Sequence, residues 1–321
     1  MMNRREFGRS VTGAVAGVTA VGTSLQLAMG EEAGAEAGTP PFKLSVMLWT
    51  VFRGEPLPQR LEKVAEAGYH AVEFVDEFKG WGSGDFAALR KKKSELGVEI
   101  DATCGVWPTL ADPNNREKFL SELNAFIPTM QELETKKMVM QTGNAVPGMS
   151  REAMHANAIE TLKRAGDLAA QNNIELLVEN IDPEENPKYF LTSCAEGFEM
   201  VRAVGNPHVK FLCDFFHEQI AEGNLIAKLP KNMDILGLVH VADVPGRHEP
   251  GSGEIYFPNI YRKLAELNYS RYIAMEFLPV GEPVAALREA RAMALKFGAT
   301  PGKSASIAEP GEFPRRSHAT A

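Results

Sequence analysis

Short hydrophobic runs alternate with longer amphipathic stretches between residues 42 and 298 of the 321-residue chain. The runs are rich in Val, Ile, Leu and Phe, as strands buried on both faces require. The stretches between them have the spacing of amphipathic helices. The pattern predicts eight strands separated by helices, with the strands at residues 42–49, 71–76, 98–105, 136–143, 174–181, 209–216, 235–243 and 271–279.

Eight strand–helix units predict a closed α/β fold, the (β/α)8 TIM barrel, which typically has about 250 residues. An open doubly wound sheet is the alternative, but it usually begins with a glycine-rich phosphate-binding turn after its first strand. The sequence at that point is LWTVFRGEP, which is not such a turn. Within the helices, Ser150 is expected to cap the fourth and Pro128 to kink or break the third.

The first thirty residues have the composition of an export signal. Arg4 and Arg5 precede Phe7, and an uncharged stretch rich in Gly, Ala and Val follows. We predict twin-arginine export, to the periplasm if the host has one. A membrane anchor is disfavoured because Gly, Ser and Thr are too frequent for a stable span. The predicted organisation is a signal at 1–30, a linker at 31–41, a barrel at 42–298 and a disordered tail at 299–321.

Charge and cysteine content narrow the range of functions. Nucleic-acid binding needs a basic face, whereas this chain has a formal net charge of −8. We therefore expect no nucleic-acid partner. The cysteines, Cys104, Cys194 and Cys213, are too widely spaced for a zinc knuckle or a disulfide framework. We interpret them as small buried hydrophobic residues.

Polar residues follow the hydrophobic runs at the ends of four consecutive predicted strands. These residues are Glu179, Asp214, His240 and Glu276. In a TIM barrel the carboxyl ends of the strands meet at one rim. Burying three carboxylates without a cation is costly, so we predict one divalent metal ion among them, with Mn²⁺, Mg²⁺, Co²⁺ and Zn²⁺ all suited to these ligands. Each acidic residue taken singly also fits a helix cap or a salt bridge, but their shared position favours the metal site.

The loop after the seventh strand, ADVPGRHEPGSGEI, is crowded with polar and charged residues. Arg247 offers a guanidinium that can hold a carboxylate or sugar hydroxyls of a substrate. Glu249 and Glu254 are expected to position this arginine. Asp243 is either a partner of the metal ligands or a turn residue. Three further residues belong either to the pocket or to the ordinary core: Trp49, Glu73 and Trp107.

Three segments, VENIDPEENPKYFLT, CDFFHEQI and HVADVPGRHEPGSGEI, resemble the hydroxypyruvate isomerase family of xylose isomerase-like TIM barrels. The resemblance implies that Glu179 and Glu276 bind the metal and transfer protons, and that Asp214 is a further ligand. It also implies that His217 faces the substrate. The remaining ligand is glutamine in many hydroxypyruvate isomerases and histidine in the related sugar epimerases. His240 at this position keeps the metal site but loosens the substrate assignment.

The resemblance and the ligand set together predict an isomerase of a small α-hydroxy carbonyl compound. Hydroxypyruvate, converted to tartronate semialdehyde, is the lead substrate. One glutamate would remove a proton next to the carbonyl and the other would return it, through an enediolate that the metal stabilises. A ketose or keto-sugar isomerase or 3-epimerase is one alternative, and an exported sugar-binding protein without turnover is another. We expect a small-molecule partner and no stable membrane anchor, and a homo-oligomer is left open.

Overall fold

The computed structural model describes residues 38–299, in which eight parallel strands pair in chain order and close into a barrel. This confirms the predicted TIM barrel and excludes the open sheet. The strands are β1 (Lys43–Met47), β2 (Ala71–Phe74), β3 (Glu99–Thr103), β4 (Lys137–Gln141), β5 (Glu175–Glu179), β6 (Val209–Asp214), β7 (Leu236–Val241) and β8 (Tyr272–Met275). The helices are α1 (Leu57–Glu66), α2 (Ser83–Leu96), α3 (Arg116–Leu133), α4 (Arg151–Asn172), α5 (Cys194–Val204), α6 (Phe215–Ala221), α7 (Phe257–Glu266) and α8 (Pro283–Gly298).

Most of the predictions for the two ends of the chain concern residues outside 38–299. The predicted export signal at 1–30, most of the predicted linker at 31–41 and all but the first residue of the predicted tail lie outside the described residues. Among the helices between residues 38 and 299, none is long and apolar enough to cross a membrane.

Local sequence signals set most helix boundaries. The side chain of Ser150 accepts a hydrogen bond from the backbone N–H of Ala153 and caps α4, as predicted. Of the two effects expected of Pro128, a kink or a break, the break is excluded because α3 continues through it to Leu133. A proline inside a helix costs about 3 kcal/mol. Burial of one apolar face offsets this cost, and that face includes Phe119, Leu123, Ile127 and Met130.

Because side chains alternate between the two faces of a strand, the candidate functional side chains lie directly above a layer of buried leucines. Leu177, Leu212 and Leu238 are fully buried. They lie two residues before Glu179, Asp214 and His240, and therefore on the same strand faces. The intervening residues face the surrounding helices and join the larger core, for example Val178, Cys213 and Val239. The barrel thus packs leucines below the rim and presents the polar groups at it.

Candidate metal centre and active site

The four predicted metal ligands converge on one point of the barrel rim. One ligand atom from each residue lies within 4.8 Å of the others, and all four side chains are buried. Their positions follow from the strands, with Glu179 and Asp214 as the last residues of β5 and β6. His240 is the penultimate residue of β7 and pairs in register with Asp214, while Glu276 directly follows β8.

The His240 imidazole lies between carboxylates on both sides. Its Nδ1 is 2.6 Å from Oε2 of Glu276 and 3.6 Å from Oε1 of Glu179. Its Nε2 is 3.1 Å from Oε2 of Glu73. Burial lowers the pKa of His240, but the negative charges of Glu73 and Glu276 outweigh this and raise the pKa well above its usual value. Glu73, which the sequence left undecided, is therefore in direct contact with the site.

The two glutamates of the site have opposite pKa shifts. Burial raises the pKa of Glu179 to about 8, with the His240 charge opposing the rise and the charges of Glu276 and Asp214 adding to it. Burial also pushes the pKa of Glu276 up, but the positive charges of Arg247 and His240 hold it well below its usual value. A carboxylate pair whose environments separate the two pKa values can divide the roles of acid and base.

Hydrogen bonds hold both oxygens of the Glu276 carboxylate. The indole Nε1–H of Trp49 donates to Oε1 at 2.6 Å. On the other side, Nδ1 of His240 lies at 2.6 Å from Oε2. Trp49, which follows β1 in the sequence, is therefore part of the site as well as of the pocket wall.

Arg247 reaches inward between two of the candidate metal ligands. Its Nη2 lies 2.9 Å from Oε2 of Glu276 and 3.2 Å from Oδ2 of Asp214. Its Nη1 lies 3.1 Å from Oε2 of Glu185. The guanidinium also lies over the Phe216 ring, 4.8 Å from its centroid. Arg247 is thus at the site, as predicted, and its positive charge offsets part of the negative charge of the carboxylates.

The expectation that Glu249 and Glu254 position Arg247 is wrong. Glu249 accepts the backbone N–H of Val280, and Glu254 accepts the side-chain amide of Gln219. The physical reason is that the arginine side chain is buried and extends towards the rim of the barrel. There it meets the ligand carboxylates and Glu185 instead of the acidic residues of its own loop.

His217 lies beside Arg247 and is held by the carboxylate of Asp182. Its Nδ1 is 2.6 Å from Oδ2 of Asp182, and its Nε2 is 3.1 Å from Nη1 of Arg247. Burial lowers the pKa of His217, but the charge of Asp214 and the hydrogen bond with Asp182 raise it above its usual value. The sequence analysis missed Asp182, although it lies three residues after Glu179 in the same polar segment.

Asp243 organises the loop that carries Arg247, and within residues 38–299 no hydrogen bond or ion pair joins it to the candidate metal ligands. It is fully buried, and both of its oxygens accept backbone N–H groups at 2.8–2.9 Å. Of the two interpretations offered by the sequence, the turn residue is confirmed. The four N–H donors span the loop and belong to Val244, Gly251, Gly253 and Ile255.

A cavity of about 190 Å³ opens above the ligands. One side is polar and includes the two glutamates, His217, His240 and Arg247. The other side is largely apolar and includes Met47, Trp49, Val75, Trp107 and Val139. The Trp107 side chain is 53% exposed at the mouth of the cavity. The volume suits a small polar molecule, and apolar walls with a few convergent polar groups are typical of ligand sites.

The residues present fit a divalent cation. Three carboxylates and one imidazole nitrogen approach a common point, which is a suitable donor set for Mn²⁺, Mg²⁺, Co²⁺ or Zn²⁺. The buried acidic groups Glu73, Glu179, Asp214 and Glu276 also outnumber the cationic groups that touch them, and buried charges are costly unless they are compensated. A cation at this point would supply that compensation.

Comparisons with known proteins agree with this architecture. A model of the xylose isomerase-like TIM barrel family matches residues 61–296. The 2-oxo-tetronate isomerase of Pectobacterium atrosepticum is 27% identical over 250 residues, which cover 75% of this chain and 93% of that protein. The hydroxypyruvate isomerase of Escherichia coli is 27% identical over 239 residues, covering 71% and 90%. The solved structure of the IOLI protein with a bound zinc atom has a TM-score of 0.68 at 16% identity, covering 82% and 100%.

Proposed function

Because the chain belongs to the xylose isomerase-like TIM barrel family, we propose that it is a metal-dependent isomerase of a small α-hydroxy carbonyl compound. The observation that carries the proposal is the buried convergence of two glutamates, an aspartate and a histidine at one point of the rim. Relatives that match over most of their length are named hydroxypyruvate isomerase and 2-oxo-tetronate isomerase. The lead substrate is therefore hydroxypyruvate, with tartronate semialdehyde as the product.

Glu179, Asp214, His240 and Glu276 would hold the cation. When bound, a divalent cation supplies Lewis-acid stabilisation of the negative charge that develops on oxygen as a proton leaves the neighbouring carbon. The zinc atom in the IOLI structure supports the presence of a metal ion in this fold. Mn²⁺, Mg²⁺, Co²⁺ and Zn²⁺ all suit the proposed ligands of the present chain.

Glu179 and Glu276 would transfer the proton. One carboxylate would remove it from the hydroxyl-bearing carbon next to the carbonyl, and the other would deliver a proton to the former carbonyl carbon. Passage of the hydroxyl proton to the former carbonyl oxygen would complete the isomerisation. Both side chains line the same cavity. A hydrogen bond from the indole N–H of Trp49 orients the Glu276 carboxylate before substrate arrives, and such preorganisation is a general source of rate enhancement.

Arg247 and His217 would hold the acid group of the substrate. A guanidinium can form two parallel hydrogen bonds with a carboxylate. The side chains of Trp49 and Phe216 face this guanidinium, and Glu185 holds its outer nitrogen. These contacts keep the arginine in place beside the cavity, where it favours an acid over a neutral sugar.

A keto-sugar isomerase or 3-epimerase is the second candidate. It is favoured by His240, because the resemblance assigns histidine at this position to sugar epimerases and glutamine to many hydroxypyruvate isomerases. In a 3-epimerase the proton would return to the same carbon on its opposite face, whereas in a keto-sugar isomerase it would return to the adjacent carbon.

A substrate panel tests the proposal. Purified protein is incubated with hydroxypyruvate, a 2-oxo-tetronate, D-fructose and D-tagatose, with and without added Mn²⁺, and products are identified by NMR. We expect turnover of the acids to exceed turnover of the sugars and to depend on the metal. Faster conversion of a sugar would establish the second candidate. Binding without any turnover would support the sugar-binding alternative and contradict the proposal.

Replacing Arg247 by alanine should impair turnover without removing the metal. Hydrogen bonds to charged groups contribute about 1.5–3 kcal/mol, so we expect kcat/KM for hydroxypyruvate to fall roughly ten- to a hundred-and-fifty-fold. Metal content, measured by elemental analysis, should stay at the wild-type level. Arg202→Ala is a matched control, since Arg202 forms an exposed ion pair with Asp234 away from the site. Unchanged kinetics of Arg247→Ala would remove Arg247 from the substrate site.

A further inference from the structure

Glu73 on β2 touches the site but has no part in the proposed proton transfer. Its side chain is fully buried. Its Oε2 lies 3.1 Å from Nε2 of His240, which is its one ion-pair partner among residues 38–299. Its Oε1 has no hydrogen-bond partner in the same range. Burying a carboxylate whose negative charge is only partly compensated is energetically costly. We therefore expect Glu73 to have a function at this position.

The two nitrogens of His240 face different groups. Nδ1 faces the ligand cluster, at 2.6 Å from Glu276 and 3.6 Å from Glu179, whereas Nε2 faces Glu73. A neutral imidazole carries a proton on one nitrogen and a lone pair on the other, and only the lone pair can bind a metal. A carboxylate accepts hydrogen bonds when ionised, so Glu73 favours a proton on Nε2.

We propose that Glu73 is a positioning residue that keeps the proton of His240 on Nε2 and directs the Nδ1 lone pair towards the metal. The inference rests on the proposed metal site and adds a residue outside the ligand set. Hydrogen bonds from a ligating histidine to a carboxylate generally fix the tautomer and the orientation of the ring. In this chain the carboxylate comes from β2, on a part of the barrel that supplies none of the four ligands.

Asp101 provides a matched control. It is also a buried carboxylate on a neighbouring strand, β3, and accepts a hydrogen bond from Ser45 at 3.1 Å. Its hydrogen-bond partner is on β1, and no hydrogen bond joins it to His240 within residues 38–299. Asp101→Asn therefore changes a buried carboxyl group on the neighbouring strand without removing the acceptor for Nε2.

The test compares full-length wild-type protein with Glu73→Gln, Glu73→Leu and Asp101→Asn. Zn²⁺ affinity is measured by calorimetry with the metal alone. Ring ¹⁵N shifts of the Zn²⁺-loaded, histidine-labelled protein identify which nitrogen of His240 carries the proton. A His240→Gln spectrum provides the assignment. Loss of such an outer carboxylate typically costs ten- to a hundredfold in metal affinity.

We expect a proton on Nε2 and Nδ1 coordination in the wild type. Affinity should fall about tenfold in Glu73→Gln, whose neutral carbonyl oxygen accepts a weaker hydrogen bond, and up to a hundredfold in Glu73→Leu. The single tautomer should be lost in Glu73→Leu, which has no acceptor. Asp101→Asn should match the wild type. If Glu73→Leu does not fold, the isosteric Glu73→Gln decides. The inference about Glu73 would be overturned if His240 of the wild-type protein bound Zn²⁺ through Nε2, or if Glu73→Gln bound Zn²⁺ with wild-type affinity. Either result would leave the proposed metal site intact. A wild-type protein that binds no Zn²⁺ or Mn²⁺ would overturn the proposed metal site itself.

Discussion

Glu179→Gln should lower kcat/KM for hydroxypyruvate by about a hundred- to ten-thousand-fold, the range expected for loss of a positioned acid or base. Glutamine has nearly the same shape and retains an oxygen that can face a cation, but it cannot exchange a proton with carbon. Because Glu179 lies at the end of a buried strand above Leu177, the substitution should leave the barrel intact. The loss should therefore appear mainly in kcat.

Steady-state kinetics and metal analysis of the same preparation check this prediction. Glu184→Gln is the control, because it makes the same substitution at an exposed position in the loop that follows β5. Solvent exchange at the substrate carbon, followed by NMR in D₂O, should also be lost in Glu179→Gln. A variant with activity within tenfold of the wild type would show that Glu179 is not a proton-transfer group.

Asp243→Ala should lower the free energy of unfolding by about 3–5 kcal/mol. Hydrogen bonds to a charged group contribute about 1.5–3 kcal/mol each, and buried donors left without an acceptor add a penalty. Four backbone N–H groups depend on this carboxylate. We expect less than their sum because part of the loop would open to water. The same change should impair turnover, because the loop carries Arg247.

Equilibrium urea unfolding, followed by circular dichroism, measures the effect. Asp243→Asn should be intermediate, since its one carbonyl oxygen can accept only some of the four donors. Glu254→Ala is the control in the same loop, because that side chain is exposed and its partner is the exposed amide of Gln219. An Asp243→Ala protein with wild-type stability would mean that the loop is held by other contacts.

The convergence of the four candidate metal ligands could be predicted because their positions depend on strand ends alone. Once Glu179, Asp214, His240 and Glu276 are placed at the ends of consecutive strands, closure of the barrel brings them together. The partners of Arg247 could not be predicted in this way. Its backbone has a φ of 58°, in the left-handed region, and the resulting direction of the side chain depends on the path of the whole loop.

The contacts of Glu73 could not be predicted from the sequence, for a different reason. Its partner His240 is 167 residues away along the chain, and the two meet only across the closed barrel. A single glutamate in the run AVEF gives no sign of such a contact. A contact between two of the cysteines could not be predicted from the sequence either. They are buried, as predicted, but Cys194 and Cys213 also lie with their sulfurs 3.0 Å apart because the start of α5 packs beside β6.

The uneven composition of the cavity walls has a consequence for protein engineering. Val75, Trp107 and Val139 shape the cavity from the first half of the barrel, whereas all four candidate metal ligands and Arg247 come from the second half. Libraries that randomise these three apolar positions can therefore vary substrate preference while preserving the chemical machinery. The same separation gives natural selection a simple route to new substrates, because a change in shape on one side need not disturb the reactive groups on the other.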